Sequence, residues 1–491
     1  MSTSFLSLFM VVFSGVGGND LLDYLPTQAY WQSKGVEVTA SGLIGELVIP
    51  GPQTSPDITQ LIRQLGAADF NAREQAEQRL TGIGKRAIPE LEAAAKSPDL
   101  EVATRAAKIL RVLTGDDRVA AVRTLMAIRT LGEMKSREAL PVLRKLLTSE
   151  QPFVADYAAE AIAAIEQKPY SRPRPSAADL DRDVWSLPKG CSLAAQIVLA
   201  GQKRISLDKL IEQQKDLPPG FGGDKDEVTK RWTEAVLSLA EKTGNIRVEA
   251  VTVGVAGEID SDKGYGIVVG RGRYDAAAAR ALLKEAGEEE ETLTVDGVEV
   301  LQPDDSICLI LLGDDRLVLI AGSVEVGSVL DQIPGKELVA ALKTGKGGLR
   351  DNEAMVKLIE GVDRSKGMWA AVHVTDSYRD FVPFLTPVDT ITLVAGETEG
   401  GLAGGLTAEG RDPEALKGAA TDFQGALKGA QEEINRELQQ NPMPSLKTLS
   451  DFLAGVKVEA QGTRITVTGQ YKGANGFMFL PWLGLGVTVA H

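Results

Sequence analysis

Cysteine and histidine are nearly absent. The 491 residues hold two of each, Cys191, Cys308, His373 and His491. Zinc sites need three or four Cys or His ligands held together, and disulfide scaffolds need closely spaced even sets of cysteines. Four scattered residues supply neither, so the expectation is no metal and no cofactor. Cys191 and Cys308 could pair in an oxidising compartment, but two separate buried thiols behaving as small apolar residues are the expected state. His373 falls in a strand-like stretch between Val372 and Val374. A histidine without a neighbouring serine or cysteine nucleophile is not an acyl-transfer site.

Basic residues are also in deficit, 53 against 68 acidic, for a net charge of −15. Non-specific nucleic-acid binding needs lysine and arginine to displace phosphate counterions, so no nucleic-acid partner is expected. Long hydrophobic runs are missing as well. Phe5 to Phe13 and Gly476 to Val489, the latter broken by Pro481, both fall short of the roughly 20 residues of a spanning helix. No P-loop occurs, because Gly345-Lys346 is followed by glycine, and there is no His-Glu-x-x-His. Gly264, Gly266, Gly270 and Gly272 lack the dinucleotide spacing and open no helix; glycines of a strand or bulge account for them. Asp260-Ser-Asp262-Lys-Gly264 begins like a calcium loop, but Arg271 stands where the closing glutamate belongs, and a hairpin turn is expected instead. No catalytic residue is assigned.

What is present begins with an uncharged stretch. Residues 1–18 pair the apolar run with the small residues Ser14-Gly-Val-Gly-Gly18, the layout of an export signal cleaved after Gly17 or Gly18. The chain is therefore expected to be exported, to a bacterial periplasm or the medium. Residues 19–56 read as a connector with strand-like pieces at 36–39 and 43–49.

From 57 to 168 apolar residues recur at helical spacing, as in Ile58, Leu61, Ile62 and Leu65. Gly82, Gly84, Gly115 and Gly132 fall where helices should stop. Asn71 with Glu74 reads as a capping pair, and Pro89 and Pro141 sit just inside helices. Ala87-Ile-Pro-Glu-Leu91 aligns with Ala139-Leu-Pro-Val-Leu143, and Val102, Ala103, Ala106 and Ala107 align with Val154, Ala155, Ala158 and Ala159, all at an offset of 52. Each copy follows an Ile-Gly or Leu-Gly step. These motifs resemble HEAT repeats of the armadillo-like superhelix. The resemblance covers under a quarter of the chain and implies a short α-solenoid of about seven helices, with no chemistry of its own. The offset is longer than the usual ~40–47.

Residues 169–186, with Pro169, Pro173 and Pro175, read as an extended linker. Strands then alternate with helices, and the string runs twice. Lys189 to Val198 resembles Lys366 to Val374, Val248 to Gly257 resembles Val388 to Gly396, and Arg316 to Ile320 resembles Arg464 to Thr468. Two α+β modules with antiparallel sheets are expected, at 187–365 and 366–491. The fold class is thus multidomain, a HEAT-like all-α superhelix followed by a duplicated α+β domain.

Residues 57–168 carry 17 basic and 16 acidic side chains and 169–491 carry 35 and 48, so the acidity belongs to the C-terminal region. Arg73, Arg79, Arg105 and Arg123 are the candidates for a partner-facing surface on the helical repeats, beside Arg86, Arg111 and Arg129. The apolar tail Gly476 to Val489 either packs as a last strand and loop or makes a peripheral contact. The function expected is non-enzymatic, protein–protein interaction or envelope support through the repeats, with one unidentified protein partner. The alternative is a hydrolase or small-ligand binder with its site in a cleft between the two α+β modules.

Overall fold

The computed structural model describes residues 20–47, 58–67, 69–83, 87–97, 99–114, 117–149, 151, 153–200, 225–257, 264–275, 278–279, 291–304, 307–313, 315–322, 335–344, 346–398, 401–440 and 444–472. The described residues divide into two compact units, a helical one (21–172 with 231–246) and a sheet unit (20, 173–230 and 247 onward). The export-signal stretch, the Asp260 turn and the apolar tail lie outside the described residues.

The helical unit contains α1 (Thr27–Ser33), α2 (Ala40–Gly45), α3 (Ile58–Gln64), α4 (Phe70–Ile83), α5 (Ile88–Ala94), α6 (Leu100–Thr114), α7 (Asp117–Glu133), α8 (Leu140–Leu146) and α9 (Val154–Glu166). A short helix followed by a long one recurs at α3–α4, α5–α6 and α8–α9. The first two hairpins are 30 residues apart, for α3 begins at Ile58 and α5 at Ile88. The single helix α7 intervenes before the third, which accounts for the offset of 52. Leu61, Leu65, Ala76, Leu80, Leu91, Ala106 and Ile109 form one buried cluster of the first two hairpins. Each such hairpin has an apolar side that only its neighbour can cover.

Helix starts follow the local chemistry, with one difference from expectation. The cap of α4 is Asp69, whose carboxylate accepts from the amides of Asn71 and Ala72 at 3.2 Å. Asp99 caps α6 in the same way, accepting from Glu101 and Val102. A carboxylate there satisfies amides that have no partner inside the helix. Gly132 lies in the last turn of α7, and its lack of a side chain has a packing reason: a Cβ would sit 2.9 Å from the Cα of Ala161 on α9.

Residues 21–47 also differ from expectation. Instead of strands, Thr39 caps α2 by accepting from the Gly42 amide, and 36–39 has no regular structure. Trp31 on α1 is fully buried, and its indole N–H donates to Thr130 Oγ1 at 2.9 Å. This stretch is part of the helical unit.

The sheet unit is built on twelve antiparallel strands: β1 (Cys191–Val198), β2 (Arg247–Ala256), β3 (Tyr265–Arg273), β4 (Glu291–Val295), β5 (Val298–Asp304), β6 (Ile307–Leu312), β7 (Arg316–Gly322), β8 (Met368–His373), β9 (Thr390–Thr398), β10 (Gly401–Glu409), β11 (Lys457–Gln461) and β12 (Arg464–Tyr471). Their order is β11-β12-β10-β9-β8-β1-β2-β3-β7-β6-β5-β4. Its helices include α10 (Ala177–Trp185), α12 (Gly335–Thr344), α13 (Glu353–Glu360), α14 (Asp376–Phe381), α15 (Pro413–Gln440) and α16 (Pro444–Gly455). Helix α11 (Lys225–Thr243) precedes β2.

Alternation of side chains assigns each strand residue to a face. The first face carries Ala194, Ile267, Val269, Ile310, Val318 and Ile320. They pack with Val184 and Trp185 of α10, Val339 and Leu342 of α12, and Met355 and Ile359 of α13. The second face carries Val372, Ile391, Leu406, Ile465 and Val467, which pack with Leu416, Ala419 and Ala420 of α15. Farther along that face, Leu301, Leu309 and Leu311 form a cluster with Tyr274, Leu317 and Leu319. The segment expected to be a linker through 186 therefore ends at Ser176. That serine accepts from the Asp179 amide at 3.1 Å and starts α10.

Both cysteines are free and fully buried. They cannot pair, because β2, β3 and β7 separate β1 from β6. Four strand spacings come to about 19 Å, well beyond the ~7 Å limit for bridged Cα atoms. Burial pushes both thiols up, to about 12. In the unfolded chain a thiol titrates near pH 8.5. Above that pH the unfolded state releases protons that the folded state retains, so stability falls as pH rises, by up to about 1.4 kcal/mol per unit for each thiol. The expected results are no native labelling by a thiol reagent at pH 8 and a urea midpoint that drops between pH 8.5 and 10. Rapid native labelling of either cysteine would contradict this.

Candidate interaction surface

The four arginines singled out from the sequence occupy different settings. Arg105 on α6 is the centre of a cluster, bonding Glu74 at 2.9 Å, Glu77 at 2.8 Å and Glu101 at 2.7 Å. The hydrogen bonds it donates to the Glu101 and Glu74 carboxylates hold its guanidinium above the usual arginine range. Arg73 reaches Glu101 at 3.2 Å. The cluster ties α4 to α6, the two long helices of adjacent hairpins. Arg123 on α7 binds Glu46 at 2.8 Å, which raises its pKa in the same way. Arg79 on α4 is exposed, and no ion pair to it is found among the described residues. Arg129, also noted from sequence, donates to the carbonyls of Leu22 and Leu25 at 2.6 and 3.0 Å.

Two deeply buried ionic groups of the sheet unit join residues far apart in sequence, beyond the reach of sequence reasoning. Asp183 on α10 is fully buried and accepts from Arg271 Nε at 2.5 Å and Nη2 at 2.7 Å. Arg271 also reaches Asp315 at 3.0 Å. Arg316, beside Arg271 across the β3–β7 ladder, donates to the Leu342 carbonyl at 2.6 Å. Burial pushes the Asp183 carboxyl above the ordinary carboxylate range, against the pull of Arg271. A second buried pair joins Asp20 to Arg247 at 2.6 Å. Such groups fix the docking of elements.

The seam between the sheet's two halves is a hydrogen-bonded ladder, β1 against β8 from Leu193↔Val372 to Ile197↔Met368. Trp369, Ala371 and Ala194 fill the first face there. One concavity of about 450 Å³ lies on the first face over β9 and β10. Thr392, Gly396, Gly405 and Thr407 are among the residues lining it, with Lys366 at its rim. His373 is exposed at the end of β8, opposite Thr390. Among the described residues no cluster of three His, Cys, Asp or Glu could hold a metal. None of the described helices is long and apolar enough to cross a membrane. Gly272 of β3 serves packing: a Cβ there would collide with the Arg247 carbonyl.

Repeated helical hairpins followed by a large antiparallel sheet define the class of protein. Comparison with known proteins sharpens the first part. The family model of HEAT repeats matches residues 113–180, so the chain contains a HEAT-like helical region. No curated protein matches the chain significantly. Among solved structures, crystal form III of TP0453 is similar at 12% identity, covering 61% of this chain and 96% of that one, with a TM-score of 0.32. Crystal form I of TP0453 gives 12% identity, coverages of 60% and 94%, and a TM-score of 0.31.

Proposed function

We propose that this is an exported, non-enzymatic interaction or structural protein of the cell envelope, docking a protein partner through its HEAT-like region. The observation that carries the reading is the HEAT-repeat match within a run of helical hairpins. Stacked hairpins offer side chains on rigid elements to a partner and carry no chemistry of their own. Arg79 is the proposed contact residue, with Arg73, Arg105 and Arg123 forming the surrounding surface. Their ion pairs to glutamates hold them in place, which lowers the entropy lost when a partner binds. The sheet unit is proposed to be a duplication, with halves at 187–365 and 366–491. Outward from the β1–β8 seam the orders β1-β2-β3-β7-β6 and β8-β9-β10-β12-β11 run in parallel, which supports that view. The β1–β8 ladder supports a closed seam over the alternative, a ligand or hydrolase site in a cleft between the halves.

Two experiments test the proposal. A photoreactive residue at position 79 of the full chain, in its native host, should give one discrete crosslinked species containing a second protein. Absence of any such species, under conditions that preserve known complexes, would count against docking. For export, the mature protein should begin at Gly18 or Asn19, and an intact Met1 would refute cleavage.

A further inference from the structure

Residues 168–176 lead from α9 to α10 and have no regular structure. All of them except Arg172 and Pro175 are exposed. Exposed irregular chain is where proteases ordinarily cut. The sequence here is not that of an ordinary connector. Its basic residues are Lys168, Arg172 and Arg174, and each is followed directly by proline, at 169, 173 and 175.

We infer that this junction is built to withstand proteolysis, above all by enzymes that recognise lysine and arginine. Two devices act together. The first is covalent. The bond after each base has a proline nitrogen on its leaving side. That nitrogen carries no hydrogen, and its ring fixes φ and crowds the approach to the carbonyl, so a lysine- or arginine-specific protease hydrolyses the bond very poorly. The residue before each proline is also confined to extended backbone. Lys168 and Arg174 therefore stand in solvent without offering a cleavable bond.

The second device is a clasp on α9. The Lys168 amide donates to the Ala163 carbonyl at 2.8 Å. The Tyr170 hydroxyl donates to the Asp156 carbonyl at 3.3 Å. Arg172 bonds Glu160 at 3.0 Å and Asp23 at 2.9 Å, and its guanidinium lies over the Tyr157 ring at 5.0 Å. Its side chain is only 9% exposed. Alternate residues of the segment are thus each fixed to the same helix. A protease must draw several residues on both sides of a bond into its cleft. The bond after Tyr170, which an aromatic-specific protease would choose, becomes available only when the clasp opens.

The test is limited digestion of the folded full chain, with every cut located by mass spectrometry. Trypsin should leave the parent uncut after 168, 172 and 174. Pro175→Ala should admit a cut after Arg174, an exposed residue with no ion pair found among the described residues. Pro173→Ala should stay uncut after Arg172, because the guanidinium that trypsin must capture is already engaged. Chymotrypsin should spare Tyr170 in the parent and cut after it about tenfold faster or more in Arg172→Met, since cleavage follows the population of the opened segment. Arg172→Met strands two carboxylates, so Glu160→Gln, which leaves the Asp23 bond in place, is the milder second variant and should move the rate in the same direction. A Pro175→Ala chain that stays whole after Arg174 would overturn the covalent device. The clasp would be overturned by a parent cut readily after Tyr170, by Pro173→Ala cut after Arg172 as fast as Pro175→Ala after Arg174, or by unchanged chymotrypsin rates in both clasp variants. None of these readouts depends on export or on whether Arg79 contacts a partner.

Discussion

Asp183→Ala should destabilise the sheet unit by about 3–5 kcal/mol, the usual cost of stripping one member from a buried ion pair. Asp183 has no exposure at all and holds Arg271 through two bonds of 2.5 and 2.7 Å. Arg271 is itself buried, and Asp315, a second carboxylate partner at 3.0 Å, has a half-exposed side chain. Removal of Asp183 leaves a guanidinium in a low-dielectric setting with weaker partners only, Asp315 and the more distant Asp179. The loss should also loosen α10, whose Val184 and Trp185 enter the first-face core beside it. Urea unfolding followed by hydrogen exchange of the 177–185 and 265–273 peptides reads both effects. The pairwise substitution Asp183→Leu with Arg271→Met should recover most of the stability, because replacing both charges removes the desolvation cost together with the attraction. A single-variant loss below about 1 kcal/mol would show that water reaches the pair.

Trp31→Ala carries the second large expected effect, about 3–5 kcal/mol in the helical unit. The indole is fully buried, stands edge-on to Tyr30 at a ring distance of 4.9 Å, and donates to Thr130 on α7. Its removal opens a cavity between α1 and α7. Thr130 keeps its own bond to the Met126 carbonyl at 2.7 Å, so most of the cost is lost packing rather than a stranded hydroxyl. Trp31→Phe should therefore cost clearly less than Trp31→Ala. The check is protection of the 117–133 peptides in hydrogen exchange together with the urea midpoint. Equal midpoints for the alanine variant and the parent protein would mean that residues 21–47 contribute nothing to the unit.

These two sites also show which parts of the fold sequence reasoning could reach. The strands were legible because β-branched residues and alternation are local signals, as in Arg247–Ala256 and Arg316–Gly322. Gly132 drew attention as a helix stop, yet its reason is an approach by α9 that no local pattern reveals. Helix α10 was hidden by prolines at 169, 173 and 175. The signal that marks its start, Ser176 followed by Asp179, is a capping pattern that could have been weighed against them. The 30-residue repeat was present as Asp69 and Asp99, each followed by a large apolar residue, but the inserted α7 made the offset of 52 the more visible one. Trp31 lies in a stretch that reads as a connector, because Val36-Glu-Val-Thr39 beside it is strand-like in pattern. The ion pairs of Arg105 and Arg271 join residues distant in sequence, so charge counting saw the arginines and not their partners.

The place of β1 in the sheet has a consequence for how the chain comes into being. Of the described strands β1 is the first to leave the ribosome, yet it ends up sixth in the order from the β11 edge, with β2 on one side and β8 on the other. Its second neighbour begins only at Met368. Throughout that interval a nascent chain presents β1 as an open edge, with unpaired amides and carbonyls ready to accept a wrong strand. Non-local pairings of this kind close slowly, and half-made sheets are the species that aggregate. A translation arrest or truncation before Met368 should thus give an insoluble product, whereas the same chain carried through His373 gains the strand that closes the edge.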